Sequence, residues 1–302
     1  MKNENVEIKI KPRKVWTALL LSILILGLGQ IYNGQPKKLW LLFVGIFIIP
    51  IVFAVTKLLT TSYGYIILII ILIGIQLYLI IDACISAKLR SNYIPKKYNK
   101  NFVYFIYCSA FVLFILFKPL SSIIKDYSVM FKIPTTSNEP TIQEDDYVIA
   151  DMRAYKKSDP DYGDIVIFKI DTIHYLFRVI GKPNDMLSIK GDCLVINDKQ
   201  VNTSFIKTTK IKRYQHNEYE ETLPNGHKHL IYQYPRTQDT EMEDVYELIV
   251  PNNGYFLMGD NRDNARDSRY LGYINREQII GKATYILYGK SFDRMNINLN
   301  KK

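Results

Sequence analysis

The chain has 302 residues, 48% of them hydrophobic and 13% aromatic, and its formal net charge is +10. This length suffices for roughly two units of about 150 residues each. Apolar residues are concentrated in the first third of the chain, and much of the basic excess lies in short clusters beside apolar segments. Basic residues in that position set membrane topology and attract anionic lipid. The charge therefore predicts contact with a lipid bilayer and argues against a nucleic-acid partner.

The cysteine content argues against a disulfide-rich or metal-binding protein. Two of the three cysteines, Cys84 and Cys108, lie within apolar segments, and the third is Cys193. The spacing of cysteine and histidine residues is not typical of a metal site. The sequence therefore predicts neither a bound metal ion nor another cofactor.

Four apolar stretches open the chain. They comprise residues 15–32, 39–55, 65–85 and 102–117. Each has close to the ~17–20 residues with which a helix crosses a ~30 Å hydrocarbon core. The first is not a convincing cleaved signal peptide, because it lacks a small-x-small site and the second stretch follows within a few residues. We therefore predict that residues 1–118 form a membrane anchor with three or four apolar helices.

Basic clusters constrain the topology of this anchor. One cluster precedes the first apolar stretch, and another lies between residues 88 and 100, before the last stretch. The positive-inside rule places both in the cytoplasm, which requires an even number of crossings between them. Because three stretches intervene, either the first, which Gly27 and Gly29 interrupt, does not cross, or all four cross with the N-terminus outside. Both alternatives place the chain after Lys118 outside the cytoplasm.

The pattern changes at about Ile133 to short runs rich in β-branched and aromatic residues. Turn signals separate these runs, among them Asn197-Asp198 and the Pro-Asn-Gly of residues 224–226. This pattern predicts that residues 119–302 form a mainly antiparallel β domain. Residues 203–247 are more polar, and we predict an irregular β-rich lobe there.

Four segments of this domain resemble, in order, the sequence boxes of the type I signal peptidases. They are residues 133–142 (IPTTSNEPTI), 162–169 (YGDIVIFK), 175–185 (YLFRVIGKPND) and 258–269 (MGDNRDNARDSR), the last continuing to the GKA of 281–283. The fourth is long and specific, and the resemblance covers roughly residues 118–288. It implies a signal peptidase I fold, in which N-terminal transmembrane α-helices precede a mainly antiparallel β catalytic domain. An unrelated β domain on a structural membrane protein is a much weaker interpretation of four ordered boxes.

The resemblance also implies a function. Family members are serine endopeptidases that cleave signal peptides from exported preproteins at the outer face of the membrane. Because of its apolar stretches, we expect this chain to be a multi-pass protein of the bacterial cytoplasmic membrane. Ser137 matches the family's nucleophile, and its main-chain N–H and the Thr135 hydroxyl match the oxyanion hole. The apolar walls that accept small substrate side chains are matched by Ile133, Pro134, Ile142, Tyr175 and Leu176. Asp267 and Arg269 match an ion pair that shapes the site.

Two positions depart from the family pattern. The lysine that serves as general base should precede Arg178, and Phe177 stands there. The serine that orients this lysine should follow Asn264, and Ala265 stands there. Because Tyr175 and Arg178 fix the register, a shifted alignment does not explain the loss.

No substitute base is evident from the sequence. His174 should project from the opposite strand face to Phe177, and the other histidines lie in the lobe: His216, His227 and His229. Lys169 and Lys182 lie at predicted strand ends, and Glu139 is near Ser137. Two interpretations remain open. The chain is a signal peptidase with an unusual base, or a pseudoprotease that binds signal peptides or a membrane partner protein without cleaving.

The predicted topology can be tested with reporter fusions placed after Lys118. We expect these fusions to report a location outside the cytoplasm and fusions between residues 88 and 100 to report the cytoplasm, because both charge-consistent arrangements require it. A cytoplasmic signal after Lys118 would refute both arrangements.

Overall fold

The computed structural model describes residues 11–90, 92–95, 99–117, 124–211, 214–235 and 245–300. Contacts divide these residues into two compact units. One contains the described residues up to Leu59 and from Tyr63 to Lys125, and we call it the helical unit. The other contains Thr60–Ser62 and the described residues from Asp126, and we call it the β unit.

Two helices of the described helical unit are long and apolar enough to cross a membrane. Pro36–Val55 has 20 residues with a mean hydropathy of 2.5, and Ser62–Lys88 has 27 residues with a mean hydropathy of 2.7. Most of their side chains face outward, as expected for helices that meet lipid rather than a protein core. A further apolar helix, Asn101–Phe117, precedes the β unit.

The first apolar stretch is interrupted, as its glycines predict. A helix covers Val15–Leu24, and after a turn a second covers Leu28–Tyr32. Gly27 in this turn has a φ of +83°, and a Cβ there would lie 2.5 Å from Leu39 Cδ2. The ten residues of the first helix reach only about 15 Å, roughly half the hydrocarbon thickness.

Polar side chains fix the short second helix against Ser62–Lys88. The Gln30 amide donates to the carbonyl of Leu79 at 2.6 Å, and the Asn33 amide donates to that of Ala83 at 2.7 Å. Gly29 permits this approach, since a Cβ there would lie 3.0 Å from Ala83 Cβ. In an apolar surrounding these bonds satisfy amides that would otherwise be costly to bury.

The β unit is built from antiparallel strands, which confirms the predicted fold class of apolar helices followed by a mainly antiparallel β domain. Its eight-stranded sheet has the order β1-β2-β14-β3-β4-β12-β13, with β15 paired to β14. A second sheet has the order β11-β5-β6-β7, and a third has β10-β9-β8. The bounds of the strands are β1 Ser128–Lys132, β2 Tyr147–Asp151, β3 Ile165–Ile170, β4 Ile173–Gly181, β5 Met186–Lys190, β6 Cys193–Ile196, β7 Lys199–Gln200, β8 Asn202–Ile211, β9 Tyr214–Thr222, β10 Lys228–Gln233, β11 Val245–Ile249, β12 Gly254–Met258, β13 Ile274–Asn275, β14 Ile279–Tyr288 and β15 Ile297–Asn298.

The third sheet occupies the segment for which the sequence predicts an irregular lobe. β8, β9 and β10 pair in antiparallel register that is regular apart from a shift between Phe205 and Lys207. Within the described residues this segment is therefore an ordered sheet, and its three histidines have defined positions.

Buried ion pairs connect the segment after β12 with β4 of the large sheet and with β9 of this one. The Arg178 guanidinium donates to both oxygens of Asp260, at 2.8 and 2.6 Å. Arg262 makes the equivalent pair of bonds with Glu221, at 2.8 and 2.5 Å. Burial alone would raise the pKa of Asp260, but the charge and hydrogen bonds of Arg178, together with His229 and Thr141, outweigh it and hold that pKa below its usual value. Both carboxylates are therefore ionised and paired, as burial requires.

His227 lies against this network, with its Nε2 atom 3.3 Å from Nη1 of Arg178. Burial and the charge of Arg178 lower the pKa of His227 to about 4, whereas an unfolded histidine titrates near about 6.5. As the pH falls, His227 is therefore protonated in the unfolded chain before it is protonated in the folded chain. The free energy of unfolding should fall as the pH drops from the unfolded pKa of this histidine towards its folded pKa.

We expect the β unit to lose about 1–2 kcal/mol of stability between about pH 7 and pH 5 through this histidine. His227→Gln should remove that part of the loss, measured by urea unfolding and pulse proteolysis in detergent. The matched control is His174→Gln, at an exposed histidine, which should keep the wild-type dependence. An unchanged pH dependence in His227→Gln would contradict this assignment.

Candidate active site

Ser137 lies in the loop between β1 and β2, and the segment after β12 holds this loop in place. The main-chain N–H of Asn261 donates to the carbonyl of Ser137 at 3.1 Å. The side-chain amide of Asn261 donates to the carbonyl of Thr136 at 3.0 Å, and that of Asn264 donates to the Thr136 hydroxyl at 2.7 Å. The first and fourth sequence boxes are thus joined by hydrogen bonds.

Asn138 anchors the loop from its other side. Its side-chain amide donates to the carbonyl of Leu176 in β4 at 2.7 Å, and the residue is buried. This bond satisfies the buried amide and links the loop to the strand that carries Phe177.

A groove of about 330 Å³ lies beside Ser137. Six of the predicted residues line it together with Phe177: Ile133, Pro134, Thr135, Ser137, Tyr175 and Leu176. Ile142 is not among the lining residues. It is fully buried in an apolar cluster with Ile133 and Leu176, so it supports the wall from behind.

Phe177 and Ala265 lie together next to the Ser137 loop. Both are buried, and both belong to one apolar cluster with Phe168, whose ring centroid is 5.9 Å from that of Phe177. A Cβ placed on Gly259 would lie 2.4 Å from Ala265 Cβ, 2.5 Å from the Ser137 carbonyl and 3.4 Å from Cε1 of Phe177. Phe177, Ala265 and the Ser137 carbonyl therefore all lie next to Gly259, as the alignment of the boxes predicts.

The buried ion pair of the fourth box keeps this glycine in position. Asp267 accepts from Arg269 at 2.8 Å, and its other oxygen accepts the Gly259 N–H at 2.9 Å. Asp267 is fully buried. The pair acts on the backbone beside Ser137, in agreement with a structural role.

The lobe histidines are engaged away from the groove. His227 faces Arg178, and Nε2 of His229 lies 3.2 Å from the Glu221 carboxylate. The His216 ring packs against Tyr234 at 5.0 Å. These contacts remove all three from the list of candidate bases that the sequence leaves open.

The remaining candidates differ in where they lie. Lys169 is exposed, Lys182 bonds to Asp161 at 2.9 Å, and Glu139 lines a separate cavity. His174 lines the groove, where its ring packs on Phe131 at 5.5 Å. Because His174 and Phe177 are three residues apart in β4, their side chains project from opposite faces of the strand. His174 therefore approaches the groove from the face opposite to that of Phe177.

Sequence reasoning missed one amine of the groove, that of Lys132. Its Nζ atom is 2.9 Å from the Asp145 carboxylate, which raises the pKa of Lys132 and keeps the amine protonated. It is therefore unsuited to accept a proton. Within the described parts of the chain, no side chain makes a hydrogen bond with the Ser137 hydroxyl.

Comparison with known proteins gives a consistent assignment. A family described as "Signal peptidase, peptidase S26" matches residues 101–288. Signal peptidase I of Rickettsia conorii is 31% identical over 187 residues, which cover 52% of this chain and 70% of that protein. Signal peptidase I of Rickettsia massiliae is 28% identical over 232 residues, covering 67% and 83%. A signal peptidase I crystal structure from Enterococcus faecalis aligns with a TM-score of 0.26 and 22% identity, over 42% of this chain and 98% of that one.

The close packing of Ser137, Ala265 and Phe177 around Gly259 can be tested with the variant Gly259→Ala. The added methyl would meet the Ser137 carbonyl and Ala265 at distances that no Cβ tolerates, so the loop must move. We expect a loss of about 1–3 kcal/mol in the stability of the β unit, measured by pulse proteolysis. Gly74→Ala is the matched control, since nothing lies within 4 Å of a Cβ there. Wild-type stability in Gly259→Ala would show that the loop does not pack here as described.

Proposed function

Because the chain belongs to the signal peptidase family S26, we propose that it recognises the signal peptides of exported proteins and presents Ser137 to the cleavage position. The observation that carries this proposal is the groove of about 330 Å³, in which Ser137 and Thr135 lie beside apolar walls. A shallow apolar groove suits the small side chains that precede a signal-peptide cleavage site. The Ser137 and Thr135 hydroxyls would supply polar groups at the scissile bond.

The setting of this activity is the membrane surface. Two long apolar helices and the basic clusters around them support an anchor in the cytoplasmic membrane, with the β unit on its outer face. Ser137 follows the end of the helix Asn101–Phe117 by only about twenty residues. A site tethered this closely meets a signal peptide where it leaves the bilayer.

The groups beside Ser137 supply part of a serine-protease mechanism. The hydroxyl is the nucleophile in this proposal, and the Ser137 N–H with the Thr135 hydroxyl would stabilise negative charge on the substrate carbonyl oxygen. A base must also take the hydroxyl proton, and the phenyl ring of Phe177 cannot. Losing nucleophile or base in such a site costs on the order of 10⁶ in turnover. We therefore infer that any cleavage is slow compared with that of a lysine-bearing relative.

Binding without cleavage is the second candidate function. It is favoured by the apolar cluster that holds Phe177, Ala265 and Phe168, because this cluster has a phenyl ring and a methyl group at the two positions proposed for the base and its partner. Both candidates use the same groove and the same substrate class. They differ only in whether Ser137 reacts.

Introducing a lysine at position 177 and a serine at position 265 distinguishes slow cleavage from binding without cleavage. Phe177→Lys combined with Ala265→Ser would place an amine in an apolar surrounding that lowers its pKa, with a hydroxyl to orient it. We expect the double variant to cleave a preprotein faster than the wild type by at least about 100-fold. Adding Ser137→Ala should abolish the gain. The assay is cleavage of a small-x-small preprotein by full-length protein in nanodiscs.

Phe177→Met with Ala265→Ser is the matched control, since it introduces a flexible chain without an amine. Melting temperatures must first show that each variant is folded, because replacing a packed ring can leave a void. Wild-type cleavage that depends on Ser137 and gains nothing from the double variant would assign the base elsewhere, to be sought with His174→Ala and Glu139→Gln. Absence of cleavage in folded wild type and double variant would leave binding as the function.

A further inference from the structure

Arg13 lies between two tyrosine rings, just before the helix Val15–Leu24. Its guanidinium carbon is 4.4 Å from the centroid of the Tyr32 ring and 4.1 Å from that of the Tyr93 ring. Tyr32 ends the second short helix, and Tyr93 follows the end of Ser62–Lys88. Three segments that are far apart in the chain therefore meet around one cation, which the π-faces of both rings stabilise.

Main-chain hydrogen bonds hold the residues around this cation in place. The N–H of Arg13 donates to the carbonyl of Arg90 at 3.2 Å, and the N–H of Lys14 donates to the Tyr32 hydroxyl at 3.0 Å. Because Lys14 precedes the first apolar stretch and Tyr32 ends it, both ends of this stretch lie together. This arrangement favours the topology in which the first stretch does not cross the membrane.

One edge of the Arg13 guanidinium has no acceptor among the described residues. Its Nε and Nη2 atoms are buried and make no hydrogen bond within the described parts of the chain. These two atoms form the edge of a guanidinium that binds two oxygens of one acceptor. Arg178 uses this edge for Asp260, with its Nε atom at 2.8 Å and its Nη2 atom at 2.6 Å from the two carboxylate oxygens. The same edge of Arg13 therefore calls for an acceptor with two oxygens.

The surroundings of Arg13 are those of a membrane surface. The apolar helix Ser62–Lys88 is long enough to cross the hydrocarbon core, and it ends two residues before Arg90, to which Arg13 is bonded. Trp16, in the first turn after Arg13, is 75% exposed, and tryptophan is enriched at the level of lipid headgroups. At this level the abundant acceptor with two oxygens is the phosphate of a phospholipid.

We propose that the Arg13 guanidinium, held between Tyr32 and Tyr93, binds the phosphate of a phospholipid headgroup. A phosphate diester has two unesterified oxygens, which match the Nε and Nη2 edge. The bound lipid ties the start of the helix Val15–Leu24 to the end of Ser62–Lys88. The inference goes beyond peptide recognition, and it depends on the proposed membrane anchor rather than on the groove.

The test measures lipid binding to the full-length protein in detergent by titration and native mass spectrometry. The probes are phosphatidylglycerol and a galactosyl diacylglycerol with the same acyl chains, which has no phosphate. Wild-type protein should prefer phosphatidylglycerol. Arg13→Lys keeps the charge but lacks the planar edge with two donors, so we expect its affinity for phosphatidylglycerol to fall about tenfold while its affinity for the galactolipid stays unchanged.

Lys14→Met is the matched control. It removes a charge from the next residue, which is exposed, and it should lower the affinity for phosphatidylglycerol less than Arg13→Lys does. Melting temperatures establish that both variants are folded. Millimolar inorganic phosphate, added as a competitor, should leave the phosphatidylglycerol bound, because the acyl chains contribute to the affinity for the lipid alone.

Three outcomes would overturn the inference. Equal affinity of the wild-type protein for the two lipids would refute phosphate recognition, and this comparison needs no variant. A loss in Lys14→Met without a loss in Arg13→Lys would show diffuse attraction by charge rather than a site at Arg13. Displacement of the lipid by inorganic phosphate would assign the site to a free anion. The proposed recognition of signal peptides would stand in each case, because the groove does not contain Arg13.

Discussion

The hydrogen bonds between Asn261 and the main chain at Thr136 and Ser137 are the constraint on which the site depends. They join two segments more than a hundred residues apart in the chain. Because Asp267 fixes the backbone at Gly259, two residues before Asn261, the position of the Ser137 loop depends on an ion pair whose carboxylate is fully buried. A loop held in this way can present a side chain reproducibly without secondary structure of its own.

The energetics of burial explain why Phe177 and Ala265 occur together at the two proposed dyad positions. A lysine beside Phe168 would be desolvated and would need a hydrogen-bond partner to remain in place. Once its orienting serine is an alanine, the amine has no compensation, and an aromatic ring at 177 gains packing against the same cluster. Phe177 and Ala265 therefore suit the same apolar cluster. If the proposed dyad is correct, packing and catalysis make opposite demands on position 177, as they often do at active sites.

The sequence predicts what depends on local pattern. The break at Gly27, the antiparallel class and the convergence of Ser137 with Phe177 follow from glycine placement, strand periodicity and box order. It does not predict that Ile142 lies behind the wall, that Asn138 bonds to β4, or where the lobe histidines lie. These depend on which residues the sheets bring together, and polar strands such as β8 and β9 carry little periodic signal.

In the proposed function, recognition needs the whole groove, whereas proton transfer needs only a few of the residues around it. The groove walls come from the loop and from consecutive residues of β4, and Phe177 is itself one of them. In the proposed mechanism, proton transfer needs the side chains at 177 and 265. With Phe177 and Ala265 present, the loop keeps its hydrogen bonds to Asn261 and the groove is formed. The proposed recognition of a signal peptide therefore depends on the loop and the groove, whether or not Ser137 reacts.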